Sequence, residues 1–156
     1  MKDILIVAHF IATPEEKGND RFSYISKELA LRYNDKYNVE LLTSSFSHSR
    51  KRQRVFDKER QEVPYQISLI YEPGYKKNVS LERFYSHYIF AQNVKKYLKT
   101  RKHPDLVFCS VPSLDVADVC RKYALKNKIP FVIDIQDLWP EAFEMVFNIP
   151  IISTAI

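Results

Sequence analysis

Short apolar runs alternate along the chain with longer segments in which apolar residues recur at helical spacing. The apolar runs, each bounded by polar or turn residues, are 3–10, 38–45, 65–71, 105–111 and 131–136. Runs of this kind are typical of buried strands in a parallel sheet. The segments with helical spacing are 21–34, 81–101 and 114–127. The pattern therefore predicts strands that alternate with amphipathic helices.

This alternation predicts the fold class. Strands joined through helices form βαβ units, whose crossovers are right-handed and whose sheets are parallel. We therefore expect an α/β fold: a Rossmann-like, open, mostly parallel sheet with helices on both faces. The strand at 3–9 is expected at the centre of this sheet.

The helix starts have recognisable capping residues. Asp20, Ser80 and Ser113 each precede a helical segment, and such side chains accept hydrogen bonds from free backbone N–H groups. The second helix is expected to turn one apolar stripe inward. The members of that stripe are Leu81, Phe84, Tyr88, Ala91, Val94 and Leu98.

Composition narrows the class of protein. A chain of 156 residues with 46% hydrophobic content is expected to form one globular domain, 1–156. The net charge of +5 favours an anionic partner, such as phosphate or an anionic membrane. Two cysteines, Cys109 and Cys120, fit a reducing compartment. No apolar run approaches the 18 to 20 residues, roughly, that cross a bilayer, so we expect a soluble or peripheral protein.

Polar residues follow several of the predicted strands. His9 ends the first strand, Ser110 and Ser113 follow the fourth, and Asp134 and Gln136 close the fifth. In open α/β sheets, ligands bind at the carboxyl ends of the strands. We therefore expect these residues to converge on one cleft.

The loop before the first helix has the composition of an anion site. In "EEKGNDRF", Gly18 lets another molecule approach the backbone, Lys17 and Arg21 are cationic, and Asn19 is polar. The helix that follows presents free N–H groups and the positive end of its dipole. A plain solvated turn is the alternative interpretation.

Asp137 is the candidate catalytic residue. Pro140 favours the first helical position and makes Trp139 the cap, so Asp137 is left free to face the cleft. Its carboxylate is predicted to bind ligand or to act in acid–base chemistry, or else to brace the loop. Asp134 lies deeper in the strand and is expected to be structural, receiving hydrogen bonds from a neighbouring loop.

A basic run follows the second strand. Its cationic members are Arg50, Lys51, Arg52 and Arg54. The run is either a solvated face or a docking surface for anionic lipid headgroups. No nucleic-acid recognition module is visible, so we expect no nucleic-acid partner. His48, His87 and His103 lack metal-ligand spacing, which predicts surface or packing roles and no metal site.

The segments "ILIVAHF", "EEKGNDRFSYISKELA" and "PDLVFCSVPSLDVADVCRKYALKNKIPFVIDIQDLWPE" resemble the N-terminal half of GT-B glycosyltransferases. The likeness is closest to glycosyltransferase family 4 members of bacterial capsule and O-antigen synthesis, and it spans nearly the whole chain. Its most specific piece is "VIDIQDLWPE". Gln136 stands there where the family often carries Arg or His.

The resemblance implies a function. The chain would be the acceptor-binding half of a hexosyltransferase that moves a sugar from a nucleotide-sugar to a glycan or polyprenyl-diphosphate-linked acceptor. The C-terminal nucleotide-sugar domain is not among these 156 residues, so we expect no transfer by the chain alone. The nucleotide-sugar is a co-substrate, and no cofactor is implied. The expected location is the cytoplasm, peripheral on the inner face of the bacterial plasma membrane.

The resemblance also assigns regions to these partners. The loop with Gly18 would approach the donor diphosphate, and the segment with Asp137 would meet the acceptor and the reacting sugar. The basic run would dock the enzyme on an anionic membrane. Two other classes stay open: a stand-alone flavodoxin-like binding or regulatory domain, and a non-catalytic subunit that needs a separate donor-binding partner.

Overall fold

The computed structural model describes residues 1–16, 20–55, 63–111 and 113–136. The strands are β1 (Lys2–Val7), β2 (Tyr37–Ser44), β3 (Phe46–Ser47), β4 (Arg52–Gln53), β5 (Gln66–Ile70), β6 (Leu106–Val111) and β7 (Phe131–Ile135). The helices are α1 (Arg21–Arg32), α2 (Leu81–Thr100) and α3 (Leu114–Asn127), with a 3₁₀ turn at Pro14–Glu16. Every main element lies where the sequence pattern predicted it, within a few residues at each end.

The main sheet has five strands in the order β5-β2-β1-β6-β7, and all of its strand pairs are parallel. The predicted Rossmann-like α/β fold and the central position of the first strand are both confirmed. The strand order reverses at β1, because the chain first builds outward through β2 and β5 and then crosses back to β6. The small strands β3 and β4 form a separate antiparallel pair.

Two layers of apolar side chains cover the faces of the sheet. On one face, Ile4 and Ile6 of β1 pack with Phe22 and Ala30 of α1. On the other face, Leu5 and Val7 pack against α2 and α3. Because neighbouring residues of a strand point to opposite faces, the continuous apolar run in β1 supplies both layers.

Two of the three predicted helix caps are present. The Asp20 side chain accepts hydrogen bonds from the backbone N–H groups of Phe22 and Ser23, and Ser80 accepts from Arg83 N. Ser113 makes no capping hydrogen bond with its side chain. Its hydroxyl bonds His9 instead, as described below.

The inward stripe predicted for α2 is correct only in the second half of the helix. Ala91, Val94 and Leu98 are buried. Leu81, Phe84 and Tyr88 are 86%, 59% and 52% exposed. The buried residues of the first half are Ser86 and Phe90, because the first turns of α2 meet the sheet through a different face of the helix.

The strand β7 is less buried than its apolar sequence predicted. Val132, Ile133 and Ile135 are all exposed. Within the described part of the chain β7 pairs with β6 alone, so it forms an edge of the sheet. Side chains of an edge strand have neighbours on one flank only, which leaves them open to solvent.

Candidate functional site

A cleft of about 360 Å³ opens at the carboxyl edge of the sheet, beside the point where the strand order reverses. Its lining residues are Phe10, Ile11, Asp20, Arg21, Phe22, Ser110 and Gln136. We call it the switch-point cleft. Loops that leave neighbouring strands in opposite directions separate here and leave a crevice for a ligand. Three segments predicted to converge, those after β1, β6 and β7, meet around this cleft.

Arg21 and Asp134 form an ion pair beside the cleft. Arg21 Nη1 lies 2.9 Å from both Asp134 Oδ1 and Oδ2. The side chains are 55% and 21% exposed, so the pair is open to water. The hydrogen bonds expected for Asp134 thus come from the first residue of α1. Asp134 also lies opposite Ser110 in the register of β6 and β7.

A buried polar network joins the ends of β1 and β5 to the start of α3. His9 Nδ1 is 2.5 Å from Ser113 Oγ, and His9 Nε2 is 2.8 Å from Glu72 Oε1. The Glu72 carboxylate also accepts hydrogen bonds of 2.5 Å from the hydroxyls of Ser44 and Ser86. All five side chains belong to buried residues. The network therefore ties five segments of the chain together without exposing a polar group.

The hydrogen bonds determine the form of His9. An ionised Glu72 can only accept, so His9 Nε2 carries the proton, and Nδ1 then accepts from the Ser113 hydroxyl. Burial lowers the pKa of His9 and keeps its imidazole neutral. Burial alone would raise the pKa of Glu72, but the hydrogen bonds from His9, Ser44 and Ser86 lower it below the ordinary value.

The serine, histidine and glutamate of this network stand in the order of a nucleophile, base and orienting acid. No substrate can reach these groups, because the surrounding residues bury them. The His9 ring is stacked between Phe10 and Phe90, with centroids 4.2 and 4.0 Å away, and Ser113 is buried. The network therefore stabilises the carboxyl edge of the sheet. Phe10, which is stacked on His9, also lines the cleft, so the network holds that wall of the cleft in position.

Two more histidines lie around Tyr75, next to the buried network. His48 and His87 have ring centroids 5.8 and 5.7 Å from that of Tyr75, and His87 also meets His9 edge-on at 4.8 Å. Burial and nearby cations lower the pKa of His48 to about 4 and that of His87 to about 3. Burial raises the pKa of Tyr75 to about 12. We call His9, His48, Glu72, Tyr75 and His87 the histidine cluster.

Gly74 positions the turn that carries Glu72 and Tyr75. Its φ is +84°, a value that disfavours other residues, and a Cβ at this position would lie 2.4 Å from atoms of the Phe46 ring. Gly74 N donates a 2.8 Å hydrogen bond to Ser86 Oγ. The close approach of Phe46 therefore requires glycine, and the turn is tied directly to α2.

The basic run is divided between surface and interior. Arg50 and Arg52 are exposed, and Lys51 is half-buried. The structure corrects the expectation for Arg54, whose side chain is only 6% exposed. Its guanidinium donates to Glu16 Oε2 at 2.8 Å and to the carbonyls of Ser44 and Ile11, so its charge is used inside the protein.

Several predicted site residues lie outside the described residues: Lys17, Gly18, Asn19, Asp137 and Trp139. Of the others, Arg21 and Gln136 line the cleft, Asp134 lies beside it, and His9 and Ser113 are buried beneath it.

Sequence reasoning missed Glu72 and Tyr75. They directly follow β5, so the rule that selected His9 would have selected them. It also missed Phe10, which follows β1 next to His9 and falls under the same rule, and Arg83, for which the sequence offers no comparable signal.

Within residues 1–16, 20–55, 63–111 and 113–136, no group of three His, Cys, Asp or Glu side chains is arranged to hold a metal ion. No helix in these same ranges has the length and apolar character needed to cross a membrane.

Known structures resemble the fold of this chain. Two crystal structures of the C-terminal domain of a hydrogenase from Pyrococcus furiosus match with TM-scores of 0.52 and 0.54, at 15% and 13% sequence identity. Each match covers 85% of this chain and 91% of that domain. No protein-family model and no curated protein matches the sequence. At such low identity the likeness shows the α/β fold alone.

Proposed function

We propose that the chain is the acceptor-binding half of a glycosyltransferase for cell-surface polysaccharide. In this proposal the C-terminal nucleotide-sugar domain of the same enzyme supplies the donor, and the chain holds a lipid-linked glycan acceptor. The resemblance of "VIDIQDLWPE" and the preceding segments to family 4 enzymes suggests the reaction. The switch-point cleft is the observation that supports it most directly, because it lies where open α/β sheets bind ligands.

The cleft has groups suited to a sugar. Arg21 offers several N–H donors, Ser110 a hydroxyl, and Gln136 both an amide donor and a carbonyl acceptor. The Phe10 ring gives one wall an apolar face. Sugar hydroxyls both donate and accept hydrogen bonds, so a mixture of this kind on a partly apolar wall suits a glycan.

In this proposal Asp137 is the catalytic base. It follows Gln136 directly in the sequence, and Gln136 lines the cleft. A carboxylate there would take the proton from the attacking acceptor hydroxyl, a contribution of about 10² to 10⁴ in rate. In the enzyme assembled with its donor-binding half, Asp137→Asn should keep the melting temperature and lose most transfer activity. Near-normal turnover would return Asp137 to a loop-bracing role.

The proposal places the enzyme at an anionic membrane, docked through the exposed part of the basic run, Arg50 and Arg52. Each basic residue near such a surface contributes about 1 kcal/mol. The variant Arg50→Glu/Arg52→Glu should therefore sediment less with anionic liposomes at low salt. Arg54→Glu is excluded from this variant because Arg54 is buried.

Acceptor binding is the direct test. The purified chain is titrated with lipid-linked glycans extracted from the organism that carries it and presented in nanodiscs. We expect saturable binding that Arg21→Gln weakens about tenfold, since hydrogen bonds from a charged group contribute about 1.5 to 3 kcal/mol. Arg32→Gln, at the far end of α1, is the matched control and should bind normally.

Other outcomes would assign another class. Failure to bind any glycan, with normal folding, would contradict the proposal and favour a stand-alone binding or regulatory domain. Transfer activity that appears only when a separately encoded donor-binding protein is added would favour a non-catalytic subunit.

A further inference from the structure

Two cations stand over the same aromatic ring beside the histidine cluster. Lys51 Nζ lies 4.4 Å from the centroid of the Tyr75 ring, and Arg83 Cζ lies 5.7 Å from it. Asn78 bridges them, because its side-chain oxygen accepts from Lys51 Nζ at 2.5 Å and its backbone carbonyl accepts from Arg83 Nη1 at 2.8 Å. Arg83 also lies 5.7 Å from the Phe10 ring, which lines the switch-point cleft.

Neither cation is neutralised by the described part of the chain. No carboxylate there forms an ion pair with Lys51 or Arg83, whereas Arg54, Arg101 and Arg21 each have one. Glu72 is nearby, but its oxygens are already occupied by His9, Ser44 and Ser86. Two like charges held close together without a counter-ion repel each other, and an anion placed between them would relieve that repulsion.

Two neutral imidazoles contact the cations and hold them in place without neutralising their charge. The Tyr75 hydroxyl is protonated and donates to His48 Nδ1, so the proton of His48 is on Nε2. Arg83 Nε donates to His87 Nε2 at 3.4 Å, so the proton of His87 is on Nδ1. Lys51 Nζ also lies 3.4 Å from His48 Nδ1, so in each ring the acceptor nitrogen contacts a cation and the N–H points away from that cation.

From this geometry we propose a phosphate-binding subsite, formed by Lys51 and Arg83 over Tyr75 with His48 and His87 at its sides. Its ligand is a phosphate ester or diphosphate group, whose two negative charges match the two cations. A tetrahedral phosphate accepts hydrogen bonds from several directions at once, which suits a planar guanidinium beside an ammonium group. A carboxylate carries one charge and matches this set less well.

This subsite does not depend on the proposed sugar transfer. It lies across Phe10 from the switch-point cleft and uses none of that cleft's polar residues. A phosphate held here could belong to a soluble ligand or to a lipid headgroup, and the two sources share the same recognition chemistry.

The first arm of the test measures binding of inorganic pyrophosphate by calorimetry at 150 mM salt. We expect saturable binding that falls about tenfold or more in Lys51→Gln and in Arg83→Gln, since each removes charge-assisted hydrogen bonds. Matched controls are Lys36→Gln and Arg32→Gln at the opposite edge of the sheet, which change the net charge equally. Melting temperatures show whether each variant is folded.

The second arm follows the histidines by NMR. Pyrophosphate between the cations should raise the pKa of His48 and of His87, because a nearby anion favours the imidazolium. Arg83→Lys keeps the charge but loses the planar donor fork, so it should retain part of the affinity. The rise in the histidine pKa values on binding reports the bound anion itself, so a variant that is merely less stable would not change it.

A third arm uses vesicles of phosphatidylglycerol, with phosphatidylcholine as the uncharged comparison. Pyrophosphate binding with the expected variant pattern supports a ligand with a free or terminal diphosphate. Vesicle binding with that pattern, without pyrophosphate binding, supports a lipid headgroup. Binding that Lys36→Gln and Arg32→Gln weaken as much as Lys51→Gln and Arg83→Gln, or no binding in either arm, overturns the subsite.

Discussion

Two buried glutamates occupy opposite edges of the same sheet and are stabilised in different ways. Glu40 lies in the first half of β2, where the carboxyl-terminal end of α2 covers it. Glu72 follows β5 at the carboxyl edge, where the amino-terminal turns of α2 cover it. Both are almost inaccessible to solvent and both accept several hydrogen bonds.

The partners of the two carboxylates differ in charge. Glu40 is bonded by Arg101 Nη2 at 2.8 Å, by Ser68 Oγ at 2.6 Å and by the Tyr97 hydroxyl. Glu72 is bonded by neutral groups only, two serine hydroxyls and the His9 imidazole. The cations near it, Lys51 and Arg83, lie outside its hydrogen-bond shell.

This difference separates a structural edge from a candidate functional edge. At the amino edge the buried Glu40 carboxylate is paired with a cation of the protein, Arg101. At the carboxyl edge the buried carboxylate is satisfied without consuming the cations, so those remain for an external anion. A buried glutamate thus pairs with a cation at one edge of the sheet, whereas at the other edge it leaves Lys51 and Arg83 without a carboxylate partner among the described residues.

The largest expected effect is on Glu40. Glu40→Gln would leave the Arg101 guanidinium largely buried without its counter-charge, and Arg101 Nε and Nη1 already lack partners in the described structure. Breaking a buried ion pair costs about 3 to 5 kcal/mol. We expect a loss of about 3 kcal/mol in urea unfolding, because Arg101 keeps slight solvent access. A loss below about 1 kcal/mol would show that the Glu40–Arg101 pair does not behave as a buried ion pair, and the proposed difference between Glu40 and Glu72 would be wrong.

Glu72→Gln should cost less, about 1 to 2 kcal/mol. The amide keeps an acceptor for one or two of the three donors, and no buried cation is left unpaired. Urea unfolding of both variants under the same conditions measures the difference. If Glu72→Gln is the more destabilising of the two, the neutral character assigned to the Glu72 network is wrong.

The stability of the carboxyl edge, unlike that of the amino edge, is expected to depend on the protonation of buried histidines. The pKa of His48 is about 4 and that of His87 about 3 in the folded protein, below the ordinary value of 6.5. At a pH between these folded-state values and 6.5, the two histidines bind more protons in the unfolded chain than in the folded protein. The free energy of unfolding therefore falls as the pH falls below 6.5. Glu72 acts in the same direction at lower pH, since its pKa is also lowered.

Urea unfolding from pH 7.5 to pH 4.5 measures this dependence. We expect His87→Gln to flatten the profile, because it removes one group that must stay neutral. His103→Gln, an exposed histidine outside the cluster, is the matched control. A profile of unchanged slope in His87→Gln would show that His87 is not held neutral by its surroundings.

The smallest effect is expected for Asp134→Asn. The ion pair of Asp134 with Arg21 is largely open to water, and exposed pairs contribute about 0.2 to 1 kcal/mol. Thermal melting should therefore change little, and less at high salt than at low salt. A loss near that of Glu40→Gln would show that β7 depends on this pair as a buried charge network does.

Much of the fold could be predicted because it depends on local patterns. The apolar runs gave five parallel strands, and Asp20 and Ser80 cap helices where expected. The failures come from long-range geometry. Leu81 and Phe84 have the right helical spacing for burial, yet they lie on a face of α2 that the sheet does not cover. Spacing along a helix does not reveal how far its partner sheet extends.

The candidate site was predictable only in part. The rule that ligands bind at the carboxyl edge correctly predicted that Gln136 lies at the cleft, and the position of Arg21 at the start of a helix correctly predicted the same for Arg21. Arg54 looked like a surface cation because its neighbours are basic. Its burial depends on Glu16 and on carbonyls that approach only after folding. The meeting of Lys51 and Arg83 over Tyr75 likewise has no local signal.

The two core layers also differ in how much of the chain they need. The buried residues on the α1 face all lie between Ile4 and Ile67, whereas the layer on the other face runs from Leu5 to Cys120. During synthesis on the ribosome, every buried residue of the first layer is present in the nascent chain before α2 has been made, and only the partly buried Leu106 and Phe108 of β6 are added later. The second layer must wait for β6 and α3. Its partners on β1 stay uncovered until then, which makes that face the aggregation-prone surface of the emerging chain.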